Sequence, residues 1–513
     1  MTESQNASQN VNVPSTKLKL PKKLVVLCDG TWQNSDYGWE KDSWSPFDHG
    51  HPQVPTNVTR LGRALLPESS DSHPQIISYH AGVGSSSWSI TDHLLGGGLA
   101  YGISSNIRDA YVFLVDNFME AAPHVSDQIF LVGFSRGAFT ARSIGGMISS
   151  IGLLHKDAMQ YFYYIFQDYE MAGADKPHYT PMIKKAFPDF HVESSVSDAA
   201  RFLEDYKKEL VKRNLTRIVD IEAIAVWDTV GTLGLPVTPV LQKIGLPSAI
   251  HAYRFYDTGI SERVRHAFHA MALDERRSAF NATVWERQAD NKTTILKQVW
   301  FPGAHSNIGG GYENQAMADI SLAWMMDQLD PFLDFDKNYL KKQNQALVKN
   351  FFAADGVKPT KQKPAFEWGL GPVYEGLQFP LSLLGSITRT PGRYFELDYQ
   401  TGKPNSKNPK LLQNTNEYIH ASVRARYQYS DEFGGFDAHG KPYKLSAALK
   451  NWELVTGKRE DGTKCNSWRR NLAGDAANGR ELPEAEIGHF ESQLLDLDPA
   501  MKTKLFPTTT VAT

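Results

Sequence analysis

The chain has 513 residues, 41% of them hydrophobic and 22% charged, enough for a large buried core in a soluble globular protein. Lys and Arg total 54 against 57 Asp and Glu, a net charge of −3, without the basic excess of a dedicated nucleic-acid binder. No stretch reaches the ~18 apolar residues of a spanning helix. The cysteines, Cys28 and Cys465, are too few for a disulfide scaffold or a four-cysteine zinc site.

Residues 1–20 are polar and then basic, which predicts a disordered tail. The apolar run 24–28 is shorter than the ~7–15 residues of a signal-peptide core. No secretion leader is therefore expected, the location is expected to be cytoplasmic, and the sequons at Asn214 and Asn281 are read as chance matches. Residues 24–28 predict a first strand, closed by Asp29-Gly30, and residues 75–79 a second. Ile107, Ala110, Tyr111, Leu114, Val115 and Phe118 follow at helical spacing. Residues 128–132 predict a third strand, which runs into Gly133-Phe134-Ser135-Arg136-Gly137 and then a helix with Ala138, Ala141, Gly145 and Gly146. A fourth strand, 221–227, ends at Asp228. The segment with His266 and His269 reads as helix-like, and a fifth strand, 296–301, precedes Pro302-Gly303-Ala304-His305.

Apolar runs without period-two alternation, separated by helices, indicate a mostly parallel sheet covered on both faces, the α/β class. Large helical insertions are expected at about 153–215, 236–295 and 312–395, within a catalytic domain over 21–455. From about residue 456 the chain turns polar and loses periodicity, so 456–513 reads as a peripheral segment.

Gly133-Phe134-Ser135-Arg136-Gly137 matches Gly-x-Ser-x-Gly between a strand and a helix. Glycines on both sides of the serine permit the tight turn that lifts Oγ out of the sheet, and the Arg136 N–H would face a developing oxyanion. A serine nucleophile needs a base, and the base an orienting carboxylate, which in the α/β-hydrolase fold follow in the chain order Ser, Asp, His. Asp228 follows a later strand and His305 sits in a glycine-rich loop after the last one, so Ser135, Asp228 and His305 are the candidate triad. His266, His269, Asp257 and Asp274 compete for the same roles. The second oxyanion donor is expected from the backbone of Gly30 or Thr31, with Asp29 shaping that loop through its side chain. Gly96–Gly98 and Gly309–Gly311 are not followed by Lys-Ser/Thr, so neither is a P-loop, and no cofactor or metal is expected.

The ordered motifs at Cys28–Trp32, Pro55–Val58, Gly82–Gly84, Gly133–Ala138, Val226–Gly231, Ala272–Arg276 and Gly303–Tyr312 resemble the family catalogued as domain of unknown function 2235. That is the catalytic domain of the phospholipase effectors of the bacterial type VI secretion system. The resemblance runs over roughly residues 23–430 and is greatest to stand-alone fungal members. It implies an α/β-hydrolase fold and a triad of Ser135, Asp228 and His305. The usual family loop reads Gly-Ala-His-Ser-Asp; here Asn307 stands in place of the Asp, which removes one charge near the site.

Together these readings predict a serine hydrolase of carboxylic esters, with lipid or phospholipid acyl esters as the named subclass. The competing readings are an acyltransferase or thioesterase, and an inactive interaction protein on the same fold. A small-molecule or lipid ester is the expected partner, with peripheral membrane contact left open. The aromatic stripe Phe162, Ile165, Phe166 and Tyr169 is read either as core or, through Phe162 and Phe166, as part of a cap over Ser135. Phe379 and Leu383 in a second apolar stretch would complete that acyl channel.

Overall fold

The structure is a computed structural model that describes residues 20–30, 39–40, 51–82, 98–122, 125–176, 178–230, 259–344, 368–374, 385–396, 405–437, 440–443, 445–458, 464–470 and 481–507. Its centre is a seven-stranded sheet of β1 (Lys23–Cys28), β2 (Gln75–His80), β3 (Gln128–Phe134), β4 (Ile221–Trp227), β5 (Val264–Ala272), β6 (Ile295–Phe301) and β7 (Glu417–Ile419). In space the order is β7-β6-β5-β4-β3-β1-β2. Every pairing is parallel. This is the mostly parallel, helix-flanked α/β architecture that the sequence predicts.

Both faces of the sheet are buried, which is why its strands read as continuous apolar runs. Leu24, Val26, Ile129, Leu131, Ile221 and Ile224 point into one core. Against them pack α2 (Gly98–Asn117), α3 (Arg136–Ile151), α4 (Phe162–Met171) and α5 (Ala199–Lys212). Val25, Leu27, Phe130, Val132, Ala225 and Trp227 point into the other. That side is covered by α1 (Asn57–Ala64), α7 (Ala316–Leu329), α8 (Ala421–Phe433) and the last helices of the chain.

The registers place the strand ends that matter at one edge. Cys28 pairs with Gly133, Phe134 with Trp227, Trp227 with Ala270, and Ala272 with Phe301. The strand order reverses between β1 and β3, and the crevice beyond the carboxyl ends at such a reversal is where an open parallel sheet takes its ligand. The turns after β1 and β3 carry Gly30 and Ser135 to that place.

Three expectations are corrected. His266 and His269 lie on β5, a strand in the middle of the sheet, not on a helix. Their three-residue separation fits a helical face, and a strand buried on both sides has no alternation to contradict it. The stretch 236–295 is accordingly not one insertion, since it contains β5 and the start of β6. The C-terminal residues are not peripheral either. After the antiparallel sheet of β8 (Trp452–Lys458), β9 (Lys464–Arg470) and β10 (Glu481–Pro483) come α9 (His489–Leu495) and α10 (Pro499–Leu505). Phe490, Leu494, Leu495, Met501 and Leu505 from these helices are buried in the core under α7. The tail 1–19 lies outside the described residues.

Candidate active site

Ser135 is held in a backbone conformation that L residues avoid, at φ 58° and ψ −123°. The turn is possible because its flanking glycines lie against backbone. A Cβ on Gly133 would come 2.4 Å from the Gly137 carbonyl oxygen, and one on Gly137 would come 2.1 Å from that of Cys28. The Ser135 N–H donates to the Trp227 carbonyl at 3.1 Å, tying the turn to the end of β4. Arg136 opens α3, so its N–H has no carbonyl one turn earlier to bond. Burial pushes its guanidinium down to about 10.

His305 opens the short helix α6 (His305–Gly309), which follows β6 and the loop through Gly303 at φ 113°. His305 Nε2 is 2.8 Å from Ser135 Oγ, and Nδ1 is 2.6 Å from Asp228 Oδ2. Ser135, His305 and Asp228 are all buried. The His305 ring is clamped between Phe134, with centroids 4.6 Å apart, and the edge-on ring of Phe280 at 4.9 Å. Burial pushes its pKa below the ordinary histidine value, against the opposing pull of Asp228.

Asp228 leaves β4 at φ 37°, with its N–H on the Ala270 carbonyl at 2.7 Å. Oδ1 accepts from the Ala272 N–H at 2.9 Å. Both carboxylate oxygens also accept from Arg389, Oδ1 from one terminal nitrogen and Oδ2 from the other at 3.0 Å. Burial alone would push the Asp228 carboxyl up, but Arg389 and His305 beside it hold it well below the usual carboxylate range.

The competing residues have other partners. His269 accepts from the Thr229 N–H at 3.1 Å and faces Gln298, and burial pushes its pKa down to about 3. His266 bonds the Glu222 carbonyl at 2.9 Å. Asp274 accepts from the Gly303 N–H at 2.6 Å and from the Tyr443 hydroxyl, so it braces the loop before His305. Asp257 lies outside the described residues.

The loop after β1 differs from expectation in one respect. A Cβ on Gly30 would lie 3.5 Å from that of Ser135, so Gly30 is at the site. Its N–H, however, donates to Asp29 Oδ1 at 2.7 Å and is thereby engaged. Asp29 also accepts from Thr56, Thr59 and Tyr79 hydroxyls at 2.7, 3.0 and 2.8 Å. Burial pushes its carboxyl up against these bonds. These bonds tie Asp29 and Gly30 to the start of α1 and the end of β2; Thr31 and the rest of the loop lie outside the described residues.

Phe166 is buried in the core with Ile165 and Tyr169, and Phe162 stacks on Tyr111 with centroids 5.4 Å apart. Both rings thus pack against the core on the α2–α5 side of the sheet. Phe379 and Leu383 lie outside the described residues.

Three contributors were not assigned from sequence. Arg389 stands in a Thr-Arg-Thr-Pro-Gly run that carries no recognisable signal. Glu275, within the Ala272–Arg276 motif, accepts from the His305 N–H at 3.3 Å and is doubly bonded by Arg277. Asn307 accepts from the N–H groups of Ala304 and Tyr374, both at 3.1 Å, and donates to the Pro372 carbonyl at 3.0 Å. A carboxylate could not make that last bond, so the amide suits this chain's own packing.

Residues 22–328 match the family of the type VI secretion system phospholipase effector Tle1-like catalytic domain. The chain belongs to this family. It is 28% identical over 283 residues to the uncharacterized protein YEL023C of Saccharomyces cerevisiae, a match over 52% of this chain and 33% of that one. The chain thus spans about a third of that relative's length. Among solved structures it is similar to the Tle1 effector bound to the VgrG spike of the type VI secretion system. That similarity has TM-score 0.30 and 13% identity, covering 81% of this chain and 96% of the other. Among the described residues no helix is long and apolar enough to cross a membrane.

Proposed function

We propose that the chain is a serine hydrolase of carboxylic esters, with lipid or phospholipid acyl esters as its substrate class. The observation that carries this reading is the unbroken hydrogen-bonded line from Asp228 through His305 to Ser135, at 2.6 and 2.8 Å. In the proposed reaction, Ser135 Oγ attacks the ester carbonyl while His305 Nε2 takes its proton. His305 Nδ1–H donates to Asp228, which fixes the tautomer and stabilises the imidazolium. The Arg136 N–H donates to the oxyanion; the Gly30 N–H is held by Asp29, which leaves Thr31, outside the described residues, as the remaining sequence candidate for the second donor. The imidazolium returns its proton to the departing alcohol. Water, activated by His305 in turn, then releases the acyl group.

Purified protein mixed with phospholipid vesicles or soluble acyl esters tests this directly. Free fatty acid should appear with the wild-type chain and not with Ser135→Ala. Formation of an acylated acceptor instead of free acid would move the assignment to an acyltransferase. Undiminished hydrolysis by Ser135→Ala would reject the reading.

A further inference from the structure

We infer that Arg389 is a positioning residue for the proposed catalytic centre: it pairs with both oxygens of Asp228 and holds the carboxylate in the rotamer that faces His305. The inference rests on the triad reading above. Its basis is geometric. The Arg389 side chain is fully buried, and its two terminal nitrogens meet the two oxygens of Asp228. The same nitrogens donate to the Ala272 carbonyl at 2.9 Å and to the Phe280 carbonyl at 2.6 Å. A guanidinium cut off from water is tolerated only where a carboxylate and further acceptors answer it. A planar two-point pairing also fixes orientation, which a single contact would not. With one face of the carboxylate occupied by Arg389, Oδ2 is left aimed at His305 Nδ1.

The segment that delivers Arg389 is anchored independently of Asp228. Ser278 N–H donates to the Gly385 carbonyl at 3.2 Å, and Ile387 N–H to the Arg276 carbonyl at 2.8 Å. Further on, Gly392 N–H donates to Glu417 at 2.7 Å, and Tyr394 stacks on Trp300. The arginine is thus brought to Asp228 by a strap fastened at both ends. That strap lies downstream of residues 22–328, the stretch that matches the family. In this chain the triad carboxylate is therefore completed by a residue from beyond that stretch.

The pairing has a consequence for the base. The Arg389–Asp228 pair is neutral as a unit, so Asp228 draws a second proton onto His305 less strongly than a bare carboxylate would. The other charged groups facing His305, Glu275 and Arg277, are bonded to each other. Removing Arg389 should therefore make the His305 imidazolium easier to form and shift the acidic limb of the pH profile upward.

Arg389→Gln and Arg389→Lys test this, with wild type and Ser135→Ala measured alongside on one soluble ester. Arg389→Gln should lower kcat by roughly 10²-fold, short of the ~10⁴-fold cost of altering a triad carboxylate. KM should change little, and the acidic limb of kcat/KM should move to higher pH. Arg389→Lys keeps the charge but not the two-point geometry; it should recover part of kcat and leave the limb where wild type has it. A folded Arg389→Gln enzyme with wild-type kcat overturns the inference. So does a loss that only follows the folded fraction with the limb unmoved. If Arg389→Gln does not fold, Arg389→Lys decides alone, and wild-type kcat in that variant overturns the inference. Hydrolysis that persists in Ser135→Ala would instead reject the triad reading itself.

Discussion

Gly309 packs against the ring of Phe134, so close that a Cβ on Gly309 would come 1.9 Å from a ring carbon. Phe134 is the residue before Ser135, and Gly309 ends the helix that His305 opens. The contact limits how closely the elements bearing the serine and the histidine can approach. Gly309→Ala must displace the ring or the helix. The overpacking should cost about 1–3 kcal/mol in denaturant unfolding, and turnover should fall by more than the lost stability accounts for. An alanine variant with unchanged kcat would show that the spacing is not set here.

Asp228→Asn should lower the rate on the order of 10⁴-fold, because an amide favours the wrong imidazole tautomer. Asp274→Asn removes charge from the bond to Gly303 and should be felt as stability instead, about 1.5–3 kcal/mol. Steady-state kinetics and unfolding measured on both variants check the assignment. If Asp274→Asn proves the more damaging to rate, Asp228 is not the orienting acid.

The pH–rate profile should have its acidic limb below 6.5, the ordinary histidine value, because burial pushes His305 down. The proposed mechanism requires neutral imidazole, so kcat/KM should rise as pH climbs through that limb and then level. Asp228 stays ionised throughout, since its carboxyl lies well below the usual range. A limb above 6.5 would contradict the described environment of His305.

Much of this site was legible because its chemistry sits in local motifs. Gly133–Gly137 announces a tight strand-to-helix turn, and the glycines are required by backbone contacts that hold for any sequence folding this way. Asp228 and His305 were found from chain order and from the strands before them. The rest depended on distance in sequence. Arg389 is 161 residues from Asp228. Nothing near it in the chain signals that relation. β5 escaped because a strand buried on both faces loses its alternation. The C-terminal helices escaped because their few apolar residues, Phe490, Leu494 and Met501, are spaced among charges and declare a core only once α7 is placed beside them.

Those helices carry a titration of their own. Asp327 on α7 accepts from the N–H groups of Phe490 and Glu491, at 2.8 and 3.1 Å, where α9 begins. Burial, with the Glu491 charge nearby, pushes its carboxyl up to about 7 from an ordinary 3.8. The folded value lies above the unfolded one, so the native state holds a proton that the unfolded chain releases. This group's contribution to stability is therefore complete below 3.8 and is lost as pH rises through about 7. Asp327→Asn should flatten that part of the stability–pH curve, measured by denaturant unfolding at several pH values. An unchanged slope would place the titration elsewhere.

The most direct test of the account is covalent labelling with a fluorophosphonate, followed by intact-mass and peptide mass spectrometry. The proposed mechanism predicts stoichiometric modification of wild-type protein, located on Ser135. It also predicts loss of esterase activity in step with labelling, and no adduct on folded Ser135→Ala. An adduct on another residue, or full esterase activity after complete labelling of Ser135, would contradict it.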